Sequence, residues 1–321
     1  MKVWHGIEGL KQLPAGAVLS VGNFDGIHLG HRKLIQMARE LRQRDGGEIA
    51  IVTFEPHPLT VLRPEAAPPR LTPAAQKQAL LEELGVDHLV VLAPTNEVLG
   101  LTAEAFWALL RDQVRPRHMI EGGTFNFGKG RGGNIERLTE WTAASSVKLH
   151  VLESVGVVLL DLSIVDVNSS LIRWLIANGR MRDAAICLGR TYSLHGEVVK
   201  GFERGRKIGV PTANLKVDEQ MVPLDGVYAG RCEVRSVNHA AAISIGTMPT
   251  FKENVRQVEA HLINFDGDLY GQILRVEVTD WIREQRKFSG IDALVAQMKL
   301  DIGRARALSG LDPSRAIVQV G

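Results

Sequence analysis

Gly201-Phe202-Glu203-Arg204-Gly205-Arg206-Lys207-Ile208-Gly209-Val210-Pro211-Thr212-Ala213-Asn214 is the stretch around which the rest of the chain is organised. Gly201, Gly205 and Gly209 let the backbone approach a ligand closely and adopt turns of positive φ. Arg204, Arg206 and Lys207 lie between them, where they can offset phosphate charge. Pro211 sets the backbone direction just ahead of two neutral oxygen donors, the Thr212 hydroxyl and the Asn214 amide. Neutral oxygens beside nucleotide phosphates suit Mg²⁺, which keeps some of its waters and takes few protein ligands. The segment therefore reads as a lid and floor for Mg·ATP. Glycine and arginine alone would be read first as a basic hairpin with a proline turn.

The whole string, Gly-x-x-Arg-Gly-Arg-x-x-Gly-x-Pro-Thr-Ala-Asn, resembles the motif of the flavokinases. The resemblance runs on through Asp225-Gly226-Val227-Tyr228, Gly246-Thr247-Met248-Pro249-Thr250-Phe251 and Glu259-Ala260-His261-Leu262. It continues through Asp268-Leu269-Tyr270-Gly271 to Arg283-Glu284-Gln285-Arg286-Lys287-Phe288. Chance matches to short motifs do not recur in sequence order. The resemblance implies ATP binding by Gly201, Arg204, Gly205, Arg206, Lys207, Gly209 and Pro211, and Mg²⁺ ligation by Thr212 and Asn214. It also implies flavin contacts from Asp225, Tyr228 and Arg283, with Glu259 as the base near the alcohol proton. Glu259 sits between Val258 and Ala260 in a strand-like run, where an apolar setting can hold a carboxylate facing a pocket. From the residues alone, a solvent-facing strand position is the simpler account.

At 321 residues the chain is long enough for two domains. Hydrophobic residues at 45% and charged residues at 23% match a water-soluble globular protein. No apolar run reaches membrane-spanning length, and Met1-Lys2-Val3-Trp4-His5 lacks the apolar core of a secretion signal. Cys187 and Cys232 show no metal-ligand spacing, so both are expected as buried thiols in a reducing cytoplasm. A net charge of +2 argues against a dedicated nucleic-acid binder. Self-association is not legible.

In chain order, Ala17 to Phe24 is a short apolar run and Leu34 to Leu41 has helical spacing, a strand–turn–helix opening of a nucleotide-binding βα unit. The turn between them is Gly22-Asn23-Phe24-Asp25-Gly26-Ile27-His28-Leu29-Gly30-His31. Two histidines flanking Leu29-Gly30 at a helix start can both face a phosphate held at that N-terminus. There they can donate to oxygens that gain charge during nucleotidyl transfer. The pair looks like that of the His-x-Gly-His nucleotidyltransferase superfamily. Ile49 to Phe54 reads as a strand, ending at Glu55-Pro56-His57-Pro58, where His57 is equally a turn residue or a ligand-facing one. Thr72 reads as the N-cap, with Pro73 in the first helical position, of a helix reaching Leu84. Leu89 to Leu92 and His118 to Glu121 read as strands, and Ala103 to Val114 as an amphipathic helix, which makes a parallel doubly wound sheet.

Gly122 to Gly133 then combines glycines with Lys129 and Arg131, either a phosphate-approaching loop or a plain flexible connection. It resembles the Gly-x-Asp/Asn-Phe-x-Phe-Gly stretch of bacterial FAD synthetases through Phe125 and Phe127, with Thr124 where that family usually has Asp or Asn. Asn168-Ser169-Ser170-Leu171-Ile172-Arg173 looks like the same family's Ser-Ser-Thr-x-Ile-Arg. The hydroxyls are expected to cap a helix from Ser170 to Ala177. The resemblance implies ATP binding by Gly22, Asn23, Phe24, Asp25, Gly30, Ser169, Ser170 and Arg173, with His28 and His31 stabilising the transition state. It further implies that His57, Thr124, Phe125 and Phe127 belong to a flavin-binding loop.

Met181 to Leu188 closes the helical part. From Tyr192 the pattern changes to β-rich runs at Tyr192–Val199, Val227–Val234, Ala240–Ile245, Gln257–Ile263 and Ile273–Trp281, as in a small antiparallel barrel. Ile291 to Leu308 is an amphipathic helix, and the tail from Asp312 is unassigned. The expected architecture is a Rossmann-like doubly wound domain over 1–186 and a small antiparallel β-barrel with a C-terminal helix over 187–321. The chain as a whole resembles the bacterial bifunctional riboflavin kinase/FMN adenylyltransferases. That implies ATP-dependent conversion of riboflavin to FMN and of FMN to FAD. Thr124 and Asn168 leave open a riboflavin kinase with a weak adenylyltransferase. An RNA-binding barrel is the rival of another class, disfavoured by the mild charge.

Overall fold

The computed structural model describes residues 1–201, 205, 208–247 and 256–310. The chain divides into two compact units, Met1–Val155 and Gly156–Gly321. The first holds β1 (Lys2–His5), β2 (Val18–Val21), β3 (Ile49–Phe54), β4 (His88–Leu92), β5 (His118–Gly122), the short pair β6 (Asn126–Phe127) and β7 (Gly133–Asn134), and β8 (Lys148–Leu152). Its helices are α1 (Leu29–Asp45), α2 (Leu59–Leu62), α3 (Ala74–Glu83), α4 (Asn96–Gly100), α5 (Ala103–Leu109) and α6 (Ile135–Ala143).

Six strands form one sheet in the order β1-β4-β3-β2-β5-β8, every pair parallel. The central strands are near-continuous hydrophobic runs because helices cover both faces. From β2 the chain builds outward through β3 and β4, then returns to β2's other side to start β5. That reversal leaves a crevice at the carboxyl ends of β2 and β5, the place where such sheets bind ligands. The doubly wound expectation holds, with β1 and β8 as strands that the sequence pattern did not reveal. Thr72 does not cap α3: its hydroxyl accepts the Gly26 amide at 3.0 Å, and Pro73 occupies the cap position instead. The helix expected over Ala103–Val114 widens to a π-turn in its last five residues.

The second unit opens with the hairpin β9 (Gly156–Val158) and β10 (Ile164–Asp166), followed by α7 (Ser169–Ala177) and α8 (Met181–Leu188). β11 (Tyr192–Val199), β12 (Ala213–Lys216), β13 (Gly226–Val234), β14 (Val237–Thr247), β15 (Arg256–Leu262) and β16 (Ile273–Arg283) close an antiparallel barrel. Its order is β11-β12-β15-β14-β13-β16. The C-terminal helix Ile291–Leu308 lies on the barrel's outer face, where Ala305 and Leu308 pack with Ala229 and Ile263. Asn168 caps α7, accepting the Leu171 amide at 2.9 Å, which corrects the expectation that serine hydroxyls cap this helix. Asparagine is as good an N-cap as serine. Around α8, Gly179 packs against the Trp281 ring and Arg182 pairs with Asp280 of the barrel. The change of periodicity near Gly189 therefore marks a change of secondary structure inside one packed unit.

Candidate active sites

The barrel brings distant residues into one row. Asn214 on β12 stands opposite Glu259 on β15, and Glu259 opposite Ser244 on β14. Ser244 in turn faces Val227 on β13, and Val227 faces Arg283 at the end of β16. Residues directly opposite one another share a face of the sheet. Val258, Ala260 and Leu262 are buried at 4% exposure or less and fill the interior. Strand alternation then turns Glu259 and His261 to the outer face.

Three cavities surround this row. One of 300 Å³ lies between Ser244, Glu259 and His261 and the apolar group Phe288, Leu294 and Met298. A second of 610 Å³ is lined by Thr212, Asn214, Asp268, Leu269 and Tyr270. A third of 210 Å³ is lined by Asp225, Ser244, Glu259 and Gln285. Thr212 borders the first two and Glu259 the first and third. His261 Nδ1 donates to the Pro211 carbonyl at 2.8 Å, holding the turn that presents Thr212. The Ile208 and Val210 amides both donate to the Gly205 carbonyl, at 3.2 and 2.8 Å, closing the preceding turn. Among the described residues no group of three or more His, Cys, Asp or Glu is arranged to hold a metal. The oxygens of Thr212 and Asn214, on the wall of a nucleotide-sized cavity, fit the few neutral ligands that Mg²⁺ takes beside phosphate.

In the first unit, β2 feeds the turn Gly22–His28, which ends at the N-terminus of α1. Phe24 and Ile27 hold positive φ angles of 45° and 40° there, each a strained backbone position worth about 1–3 kcal/mol. Asp25 accepts from the Leu71 amide at 3.0 Å and the Thr72 amide at 3.0 Å. His28 is the N-cap of α1, its Nδ1 accepting the His31 amide at 3.4 Å. A neutral His28 then carries its proton on Nε2. The two imidazoles stack with centroids 3.7 Å apart, and His31 also leans on Phe24 at 4.8 Å. No acidic residue occupies the first turn of α1, where the helix dipole favours an anion. Glu121, at the end of β5, accepts the Val21 amide at 2.8 Å. Its complete burial pushes the carboxyl well above its ordinary value.

Residues 188–309 match the riboflavin kinase family profile and residues 10–162 that of FAD synthetase. The chain is 34% identical to the bifunctional riboflavin kinase/FMN adenylyltransferase of Escherichia coli K12, covering 97% of this chain and 99% of that one. It belongs to the bifunctional riboflavin kinase/FMN adenylyltransferase family. The enzyme of that name from Bacillus subtilis is 32% identical over 91% of this chain and 92% of its own. A crystal structure described as a macrolide-efflux protein from Streptococcus pneumoniae superposes with a TM-score of 0.86 at 28% identity, covering 96% of this chain and all of that one. No helix among the described residues is long and apolar enough to cross a membrane.

Several residues that the family resemblance marked have other tasks. Tyr228 is fully buried in the barrel interior, edge-on to Trp281, with its hydroxyl on the Leu224 carbonyl at 2.5 Å. It is one residue out of register with the outer row, so it does not face a flavin there. Arg283 does line the 300 Å³ cavity, but its guanidinium is forked onto Asp301 at 3.1 and 2.7 Å. Asp225 borders the third cavity and pairs with Arg256 at 2.6 Å. Phe24 and Phe127 are core residues, Phe127 packing on Phe106 and Trp141, so only neighbouring backbone or Phe125 can meet a ligand. The loop with Thr124 is an anchored hairpin: Gly128, at φ 74°, leaves no room for a Cβ against the Ala103 backbone. Thr124 itself is exposed. Ser169, Ser170 and Arg173 occupy the first turns of α7 in the second unit. Arg204, Arg206, Lys207 and the Met248–Phe251 stretch fall outside the described residues.

Glu55, Arg70 and Lys77 went unmarked in the sequence. They meet beside Asn23 and His57 at the carboxyl ends of β2 and β3. The signal that could have found them is Lys77, a lysine on the Leu80/Leu81 stripe of an otherwise apolar helix face.

Proposed function

We propose that the barrel phosphorylates the ribityl 5′-hydroxyl of riboflavin from ATP, giving FMN and ADP, and that the first unit transfers AMP from a second ATP to FMN, giving FAD and pyrophosphate. The single observation that carries the kinase assignment is the row Asn214–Glu259–Ser244, with a largely apolar cavity bordering Glu259 and Ser244 and a larger, nucleotide-sized cavity bordering Asn214. Riboflavin's flat ring fits the cavity walled by Phe288, Leu294 and Met298, with its hydroxyl toward Glu259. Glu259 takes the hydroxyl proton as the oxygen attacks the γ-phosphorus, and ADP leaves. Thr212 and Asn214 would hold a Mg²⁺ ion, which would supply neutralisation of the phosphate charge.

For adenylyl transfer, an FMN phosphate oxygen attacks the α-phosphorus of ATP and pyrophosphate departs. His28 donates from Nε2, with His31 stacked beside it, to the oxygens that gain charge. Asp25 holds the turn by its backbone bonds to Leu71 and Thr72. Two family profiles, one over each unit, support two activities rather than a kinase with a vestigial partner. Both cysteines are free and buried, which suits a reducing cytoplasm.

The test is separation of the activities. Glu259→Gln abolishes riboflavin phosphorylation while supplied FMN is still adenylylated, and the His28→Ala/His31→Ala double variant does the reverse. Loss of both reactions in either folded variant refutes the division of labour.

A further inference from the structure

Beneath the Gly22–His28 turn, Lys77, Glu55 and Arg70 form an ionic network that neither the family motifs nor the chemistry above uses. Lys77 of α3 is only 5% exposed. Its ammonium donates to the Asn23 carbonyl at 3.1 Å and to Glu55 Oε2 at 3.1 Å. Arg70 holds the other Glu55 oxygen at 2.8 Å, and the Thr53 hydroxyl gives the Asn23 carbonyl a second donor at 3.0 Å. The Asn23 side chain lies 3.2 Å from His57 Nε2, and His57 Nδ1 accepts the Leu59 amide at 3.1 Å. The Asn23 atom that faces the ring is its amide nitrogen, Nδ2.

We propose that Lys77 is a positioning residue for adenylyl transfer, its buried ammonium fixing the Asn23 carbonyl and with it the strained turn that presents His28. The role rests on the assignment of His28 and His31 to that reaction. Two facts separate it from a merely structural one. Non-glycine residues at positive φ persist only where their surroundings over-determine them, and Phe24 directly follows the carbonyl that Lys77 holds. When Lys77 is removed, Arg70 still pairs with Glu55, so the carboxylate is not left uncompensated, whereas the Asn23 carbonyl loses its charged donor. The contribution that Lys77 alone makes is therefore to the geometry of the turn.

Lys77→Met is the decisive variant, with Lys77→Gln as a second should the first not fold. Four quantities are read: melting temperature, amide hydrogen exchange over residues 22–31, kcat for adenylylation of supplied FMN, and kcat for riboflavin phosphorylation. The expected result is at most a modest fall in melting temperature and at least tenfold faster exchange confined to 22–31. Adenylylation should fall at least tenfold, with phosphorylation unaltered. Unchanged exchange with adenylylation within threefold of wild type overturns the proposal. So does a fall in melting temperature with faster exchange spread through the whole unit, which describes a structural residue. Wild-type enzyme that fails to adenylylate FMN refutes the underlying assignment, whereas the exchange measurement still decides whether Lys77 holds the turn.

Discussion

Gly201→Ala tests the kinase geometry with one added methyl group. Gly201 stands against Asn214 across the start of the motif, and a Cβ built there lies 2.5 Å from Asn214 Cγ and 2.7 Å from its Oδ1. Ordinary contact begins at 3.4 Å, so the Asn214 amide must retreat by the difference, 3.4 − 2.5, close to 1 Å. The backbone of Gly201 is not in the left-handed region, so alanine adds no torsional strain, and the nearest atoms that the methyl meets are those of the Asn214 amide. A displacement of about 1 Å in a positioning group costs on the order of 10²-fold in rate. Such a loss corresponds to about 2.7 kcal/mol of transition-state stabilisation. Steady-state phosphorylation of riboflavin should therefore lose about two orders of magnitude in kcat. Adenylylation of supplied FMN and the melting temperature should hold. Kinase turnover within threefold of wild type, in a variant whose structure confirms the added methyl, would falsify the placement of Asn214 in the site.

Three further outcomes follow from the structure. Tyr228→Phe should lose only the hydroxyl bond to Leu224, about 1 kcal/mol of stability by thermal unfolding, and leave the KM for riboflavin unchanged; a several-fold rise in KM would return Tyr228 to the flavin site. Asn168→Ala should destabilise the second unit by about 1 kcal/mol through loss of the α7 cap, whereas Asn168→Ser should be nearly neutral in the same denaturant titration. Burial raises the Glu121 carboxyl, so its stabilising neutral form is fully present below the ordinary value of 4.5 and is lost as pH rises through the folded-state value. Glu121→Gln cannot ionise and should gain stability relative to wild type between acid and neutral pH, by about 1.4 kcal/mol per pKa unit of elevation; a pH-independent difference would show that Glu121 titrates normally.

The fold was legible wherever one physical signal dominated. Ile49–Phe54, Tyr192–Val199 and Ile291–Leu308 lie where hydrophobic periodicity placed them, because long regular runs leave few alternatives. β12 escaped notice because Ala213–Lys216 is four residues long and shares Ala213 and Asn214 with the ligand motif. The edge strands β1 and β8 were missed for a related reason: half-exposed edges carry no continuous apolar run. Site residues were legible as types but not as directions. Tyr228 and Val227 are adjacent in sequence, yet only Val227 faces the outer row, and which of them does so is set by barrel register. Phe127 looked like a loop aromatic, but its ring supplies the core under the hairpin. Lys77 was invisible because its meaning lies in Asn23 and Glu55, distant in sequence and joined to it only by tertiary packing.

The two sites are held in place by different physics, and their tolerance to change differs accordingly. In the first unit the reacting groups sit on a strained turn, held at Asn23 by the Lys77 ammonium, at Gly26 by the Thr72 hydroxyl and at Asp25 by the backbone amides of Leu71 and Thr72. Removing one support loosens the turn without unfolding the sheet below it, so loss of rate should precede loss of stability. On the barrel, Asn214, Glu259 and Ser244 are placed by ladder hydrogen bonds between neighbouring strands. Moving one of them means shifting a whole strand, and a one-residue slip would turn Glu259 inward among interior side chains such as Ile243 and Tyr228 while Val258 and Ala260 turned outward. A buried carboxylate there would be costly, so the register that builds the site is the one that keeps the barrel's interior apolar. Substitutions that disturb the barrel ladder should therefore remove stability and kinase activity together, whereas substitutions beneath the Gly22–His28 turn should separate the two.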